Sequence, residues 1–197
     1  MKNYKKMLLL ILCIFVFFVM FIVVQIYSKY LTAASGNTSL LIARWNILVS
    51  DLSIKDNPDI SSKIVPEFYE NSNISPDIIA PTSEGYFDLD FDFSDADVSF
   101  KYEILTSVDE QSSVKDLVAT GYSIDDGEKI EFANFNEPIT DTILLNSGIK
   151  TRKIRIYILW NDDEATQTMT NADDTASAIS NIPAIFHVNI SFTQITE

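Results

Sequence analysis

Five aspartates stand within thirteen residues, Gly85-Tyr-Phe-Asp-Leu-Asp-Phe-Asp-Phe-Ser-Asp-Ala-Asp97. Carboxylate oxygens at that density are what a hard cation such as Ca²⁺ takes as ligands. Spacing decides whether they can converge. On an extended strand Asp88, Asp90 and Asp92 point to one side, and Phe87, Leu89, Phe91 and Phe93 to the other. Residues two apart on a strand are about 6.6 Å apart, whereas Ca²⁺–oxygen bonds are about 2.3–2.6 Å. Two neighbouring carboxylates can share an ion, but three in a straight row cannot. Asp95 and Asp97, in a bent Ser94-Asp-Ala-Asp97, would have to close the shell. The helix–loop–helix calcium loop is a poor match, with Phe93 where it needs glycine and Ser99 where it needs glutamate. The favoured reading is an apolar face that supplies core and an acidic face in solvent. That acidic face would exert a weak, screened attraction for divalent cations, and no cofactor is expected.

Other chemistry is sparse. His187 is the only histidine and Cys13 the only cysteine, so no zinc-ligand set of the usual kinds can be assembled. The chain contains no H-E-x-x-H, no G-x-S-x-G and no cysteine–histidine pair outside its apolar N-terminal run. No catalytic residue is assigned, and an enzyme is not expected. Trp45 and Trp160 lie among apolar neighbours and read as core. His187 falls opposite Phe186, Val188, Ile190 and Phe192 and is expected to be exposed.

Period-two alternation organises the C-terminal 160 residues. Strands are expected over residues 40–49, 84–93, 98–105, 139–145, 152–160 and 184–192. A hairpin is expected at Asp125-Asp-Gly127, between Tyr122-Ser-Ile124 and Lys129–Phe132. Two short stretches, 108–118 and 171–180, have helical potential. Antiparallel strands separated by turns predict an all-β domain, an antiparallel β-sandwich or jelly roll, over residues 40–197.

Met7–Val24 is an unbroken apolar run, and at about 1.5 Å rise per residue it nearly spans a hydrocarbon core of about 30 Å. Lys2, Lys5 and Lys6 precede it, which predicts a cytoplasmic segment 1–6, a transmembrane segment 7–27, a linker 28–39 and an exported remainder. The run is long for a cleaved signal and favours an anchor, but small residues at Ser28 and Ala34 supply possible cleavage points. Residues 1–34 hold four of the 14 basic residues and none of the 28 acidic ones. The remainder therefore carries 10 against 28, a formal charge of −18. Such a surface argues against nucleic acid and anionic lipid headgroups as partners and suits solubility. A disulfide-free exported domain of this size fits a Gram-positive surface.

Tyr27-Ser-Lys-Tyr30, Ser35-Gly36 and Ile42-Ala-Arg-Trp-Asn46 stand at the export junction and first strand. Further on come Ile79-Ala-Pro-Thr-Ser-Glu-Gly-Tyr-Phe-Asp-Leu89 and Val98-Ser-Phe-Lys-Tyr102. Together these segments, over about residues 25–105, resemble Gram-positive exported proteins of the camelysin/TasA type. The resemblance implies a jelly-roll domain on the cell surface, in some members assembled into biofilm matrix fibres. It also implies a dedicated signal peptidase as partner, cutting near Ser28. The metalloprotease label of some relatives finds no zinc ligands here.

Two functional expectations follow. One is a structural surface protein that self-associates, or joins other surface proteins, by strand addition. Its donor would be the segment from Tyr30 to Leu40, Leu41 and Ile42. The other is a membrane-tethered monomer that binds a wall polymer or a divalent cation through its acids.

Overall fold

The structure, a computed structural model, describes residues 2–30, 43–56, 59–75, 78–180 and 182–195. Chain packing divides it into two units, Met1–Leu41 and Ile42–Glu197. In the first, no glycine or proline interrupts Lys2–Tyr30, which forms one helix, α1. Within it Tyr4–Ile22 has a mean hydropathy of 2.6 and none of it is buried, so by length and composition α1 suffices to cross a membrane.

The second unit is mostly β, and every strand pairing in it is antiparallel. One sheet contains β1 (Trp45–Val49), β2 (Leu52–Ser53), β3 (Glu67–Phe68), β4 (Glu84–Ala96), β6 (Leu117–Ile124), β7 (Ile130–Glu131) and β9 (Thr151–Trp160). Its order is β2-β1-β4-β9-β6-β7, with β3 lying beside the start of β4. The other sheet has the order β10-β5-β8, from β10 (Phe186–Gln194), β5 (Phe100–Val108) and β8 (Ile139–Ile143).

β4 is the axis of the larger sheet. It pairs with β9 along Glu84–Asp92, with β3 at Gly85 and Tyr86, and with β1 from Phe91 to Ala96. Gly85 is required where β3 approaches, because a Cβ there would stand 2.5 Å from the Glu67 carbonyl oxygen. Side chains from both sheets fill a single hydrophobic cluster. Phe87, Leu89, Phe91 and Phe93 of β4, Ile154, Ile156 and Ile158 of β9, and Phe100, Tyr102 and Ile104 of β5 are all buried in it. Phe91 meets Tyr102 at 5.6 Å and Phe192 at 5.8 Å between ring centroids, so β4 touches both β5 and β10. Arg152 adds a polar tie between the sheets. From β9 it donates to Asp125 (2.6 Å), in the β6–β7 turn, and to Asp141 of β8 (3.2 Å).

Local chemistry explains the turns. Asp125 and Asp126 both have positive φ, and the Gly127 N–H donates to the Ile124 carbonyl, which makes the type I′ turn of the expected hairpin. The second helix, α2 (Asn171–Ser180), starts with a reciprocal cap. Asp173 accepts from the Thr170 N–H and hydroxyl, and the Asp173 N–H donates back to Thr170 Oγ1.

Two expectations need correction. Residues 108–118 do not form a helix: β5 runs to Val108, and β6 begins at Leu117. Asp109 Oδ1 takes the Gln111 N–H, and the Ser112 hydroxyl donates to the Val114 carbonyl; such local side-chain bonds compete with the helical ladder. Trp45 is not core either. It opens β1 with 37% of its surface exposed, and its ring meets Phe100 edge-on at 5.6 Å.

Phe91→Ala removes the ring that β4 sends toward both β5 and β10. We expect a loss of about 3–5 kcal/mol in urea unfolding of the folded unit, the usual cost of truncating a buried phenylalanine. A loss below about 1 kcal/mol would mean the two sheets do not depend on this contact.

Candidate functional site

The five aspartates do not converge. Asp88 lies across the sheet from Arg155 and accepts two bonds from it, 2.7 Å from Nε and 2.8 Å from Nη2, with Lys153 Nζ at 3.2 Å. The Arg155 guanidinium in turn stacks on the Tyr86 ring, 3.9 Å from its centroid. The Asp88 carboxyl is held below its ordinary range, chiefly by the Arg155 hydrogen bonds. Asp90 sits opposite Lys153 and is exposed. Asp92 accepts the Ser94 N–H at 2.8 Å.

A bulge then changes the phase of β4. Asn46 pairs with Asp95 and Leu48 with Asp92, so two residues of β4 face one of β1, and Ser94 and Asp95 are both exposed. Asp95 and Asp97 turn to Arg44. Asp97 accepts from Arg44 Nε and Nη2, each at 2.9 Å, and Asp95 from Nη1 at 2.6 Å. These bonds hold the Asp97 carboxyl down to about 2. Among the described residues no three of His, Cys, Asp or Glu are gathered as a metal would need. The acidic face is thus partly neutralised from within. Arg152, Lys153 and Arg155 concentrate positive charge on β9, and it is the strand order that brings Lys153 and Arg155 beside Asp88.

His187 is exposed as expected, and its Nε2 contacts the Asp109 carboxylate. A buried acid went unnoticed in the sequence. Asp174, in the first turn of α2, is 8% exposed and its Oδ1 has no hydrogen-bond partner. Burial pushes its carboxyl up, and Asp162 and Asp116 add repulsion. Of the expected assembly and cleavage residues, Ser28 and Tyr30 fall in the last turns of α1. Ala34, Leu40, Leu41 and Ile42 lie outside the described residues.

The feature with the clearest capacity to engage a partner is β10. Among the described residues it is a terminal strand of its sheet, and it pairs with β5 from Phe186 to Gln194 without a register break. Flanking bonds fix the parity. Asp109 N–H donates to Ile185 carbonyl and Ile195 N–H to Ser99 carbonyl, so odd-numbered residues bond to β5. The N–H and C=O groups of Phe186, Val188, Ile190, Phe192 and Gln194 therefore point to the free edge. The inward side chains of the first four are only half-buried. Phe-His-Val-Asn-Ile-Ser-Phe-Thr-Gln contains no Lys, Arg, Asp, Glu or Pro, the residues that usually guard an exposed edge. By contrast β2, β3 and β7 are two residues long, and β8 has five with Asp141 at its centre.

Beside the first residues of β10 a cavity of about 550 Å³ opens between the sheets. Phe87, Leu117 and Ile158 form its floor, Phe186 and Val188 one wall, and the 60–68 segment the other. Compared with known protein families and with curated proteins, the chain matches none.

Two pH effects follow. Asp88 is depressed in the folded state, so its contribution is present above the ordinary carboxylate range and is lost as pH falls through its folded value. Asp88→Asn should cost about 1–2 kcal/mol at pH 7, with the difference from the native chain vanishing toward pH 2. Asp174 is shifted the other way, so its contribution is lost as pH rises. Asp174→Asn should gain on the order of 1 kcal/mol at pH 7 and nothing in acid. Urea titrations at several pH values check both, and a constant Asp88→Asn difference at all pH would contradict the ion pair.

Proposed function

We propose that this chain is a non-enzymatic cell-surface structural protein whose two sheets form a β-sandwich of jelly-roll type, and which associates by strand addition at β10. On this reading α1 directs the chain to the membrane with its lysine-flanked end in the cytoplasm. Residues 40–197 lie outside, and release by a signal peptidase near Ser28 would pass the protein to the extracellular matrix. The observation that carries the proposal is the free edge of β10, nine residues long and uncharged apart from His187. In a chain whose exported part carries a net charge of −18, an edge without a guarding charge is exceptional, and it offers an unpaired ladder to any extended segment.

The donor is assigned to a second copy, to the segment running from Tyr30 to Leu40, Leu41 and Ile42. It is small and polar, then apolar, and contains no proline. The likeness to camelysin/TasA proteins at Tyr27–Tyr30 and Ile79–Leu89 agrees with this reading. A surface that is acidic overall yet internally paired also suits a soluble building block. A tethered monomer that binds a wall polymer remains the second reading, favoured by the exposed ring of Tyr69, which packs beside the half-buried Tyr86.

Val188→Pro tests the assignment. Val188 directs its N–H away from β5, so proline removes an outward donor and leaves the β5–β10 ladder whole. In sedimentation velocity of the full-length protein and of material recovered from the matrix, self-association should weaken by at least about tenfold. Thermal unfolding should shift little. Unchanged assembly would reject β10 as the acceptor, and a native chain that stays monomeric at every concentration would leave the tethered monomer.

A further inference from the structure

The cavity beside β10 is larger than packing defects in cores, and it lies within the range of about 300–1,000 Å³ typical of ligand sites. Its floor is dry. Phe87, Leu117 and Ile158 are each 2–3% exposed, and they belong to three neighbouring strands, so the floor is preformed by the sheet. The walls are apolar as well, with Ile64 and Pro66 facing Phe186 and Val188. Among the described residues the polar lining consists of Asp59, Ser61 and His187. This is the layout of a pocket for an amphiphile, an apolar body ending in one wet, directional patch.

Charge at that patch selects the head group. Asp59 is ionised below its ordinary range, because the Ser61 hydroxyl and N–H both donate to Oδ1, at 2.6 and 2.9 Å. Asp109, which does not line the cavity, contacts the outward-facing His187 side chain. No lysine or arginine lines the cavity. An anionic head would meet the Asp59 carboxylate with no lysine or arginine among the described lining residues, whereas an amine or alcohol would find an acceptor in Asp59. Other titratable groups near this end are Lys115, which contributes to the field at Asp109, and Lys63, which is exposed on the same segment as Ser61.

We infer that the pocket binds a single-chain amphiphile whose head donates hydrogen bonds and is not an anion, such as a long-chain amine or alcohol. The chain would lie on Phe87, Leu117 and Ile158, and the head would rest at Asp59 and Ser61. This site does not rest on strand addition. Ala184 and Ile64 line it without belonging to the free edge, so pocket and edge can be tested apart.

The test uses the full chain in zwitterionic lipid nanodiscs and a dodecylamine analogue carrying an aliphatic diazirine. After illumination, adducts are mapped by peptide mass spectrometry. The expected result is saturable labelling of peptides covering 59–68 and 182–188, displaced at least about tenfold better by dodecylamine than by dodecanoate. Labelling of α1 supplies the internal reference. Ala184→Phe and Ile64→Phe, which fill the cavity from opposite sides, should each reduce the pocket labelling at least about fivefold while α1 labelling stays constant. If either variant fails to melt cooperatively, the other and the adduct position in the native chain decide. Non-saturable labelling at these peptides, labelling that survives both substitutions, or equal displacement by dodecanoate would overturn the inference.

Discussion

Strand β4 has to satisfy water and core at the same time, and the way it does so organises the molecule. Its inward rings, Phe87, Phe91 and Phe93 with Leu89, form the floor on which β5 and β10 rest. Its outward carboxylates would repel one another if left alone. A burial of four large side chains, each worth about 1.5–3 kcal/mol, far outweighs that screened repulsion, so the strand forms regardless of the acids. The acids are then settled locally. Arg155 and Lys153 arrive on β9 in the register that places them opposite Asp88 and Asp90, and Arg44 meets Asp95 and Asp97 after the bulge.

The same strand positions the candidate site. Because Phe87 packs against Phe186 with ring centroids 6.3 Å apart, the start of β10 is held over the larger sheet, while among the described residues its outer edge has no strand beside it. The cavity lies between the larger sheet, at Phe87, Leu117 and Ile158, and the first residues of β10. Loop 60–66 spans part of that gap and leaves it open. Among the described residues the smaller sheet has three strands against seven in the larger, and both the free edge and the cavity lie at β10.

Most of the strands were legible from period-two patterning, because each has one buried and one wetter face. Residues 84–93 and 152–160 were read almost to their observed bounds, and the Asp125-Asp-Gly127 turn followed from its chemistry. Helix α2 was visible as a possibility through its length and sequence, whereas 108–118 has similar composition and forms a loop through Asp109 and Ser112. Propensity alone does not separate such cases. Of the three very short strands, β7 was reached through the hairpin turn before Lys129–Phe132, whereas β2 and β3 carry too few residues to show a period. Strand order was not legible, so neither the pairing of Asp88 with Arg155 nor the open edge of β10 could be read. Both depend on which strands become neighbours. The lack of charge over residues 184–194 was visible, but it gained meaning only once β10 proved to be terminal.

Edge strands of this length without a guarding charge expose a protein to association, and here the exposure lies on the smaller sheet beside a preformed apolar pocket. The account stands or falls on the unpaired groups of β10. Residue-resolved amide hydrogen exchange along this strand, in dispersed and in concentrated protein, reads them directly. The account predicts slow exchange at His187, Asn189, Ser191 and Thr193 in both states. At Phe186, Val188, Ile190 and Phe192 it predicts fast exchange when dispersed and slow exchange on assembly. Equal protection of both sets in the dispersed protein, or fast exchange at the second set in the assembled one, would contradict it.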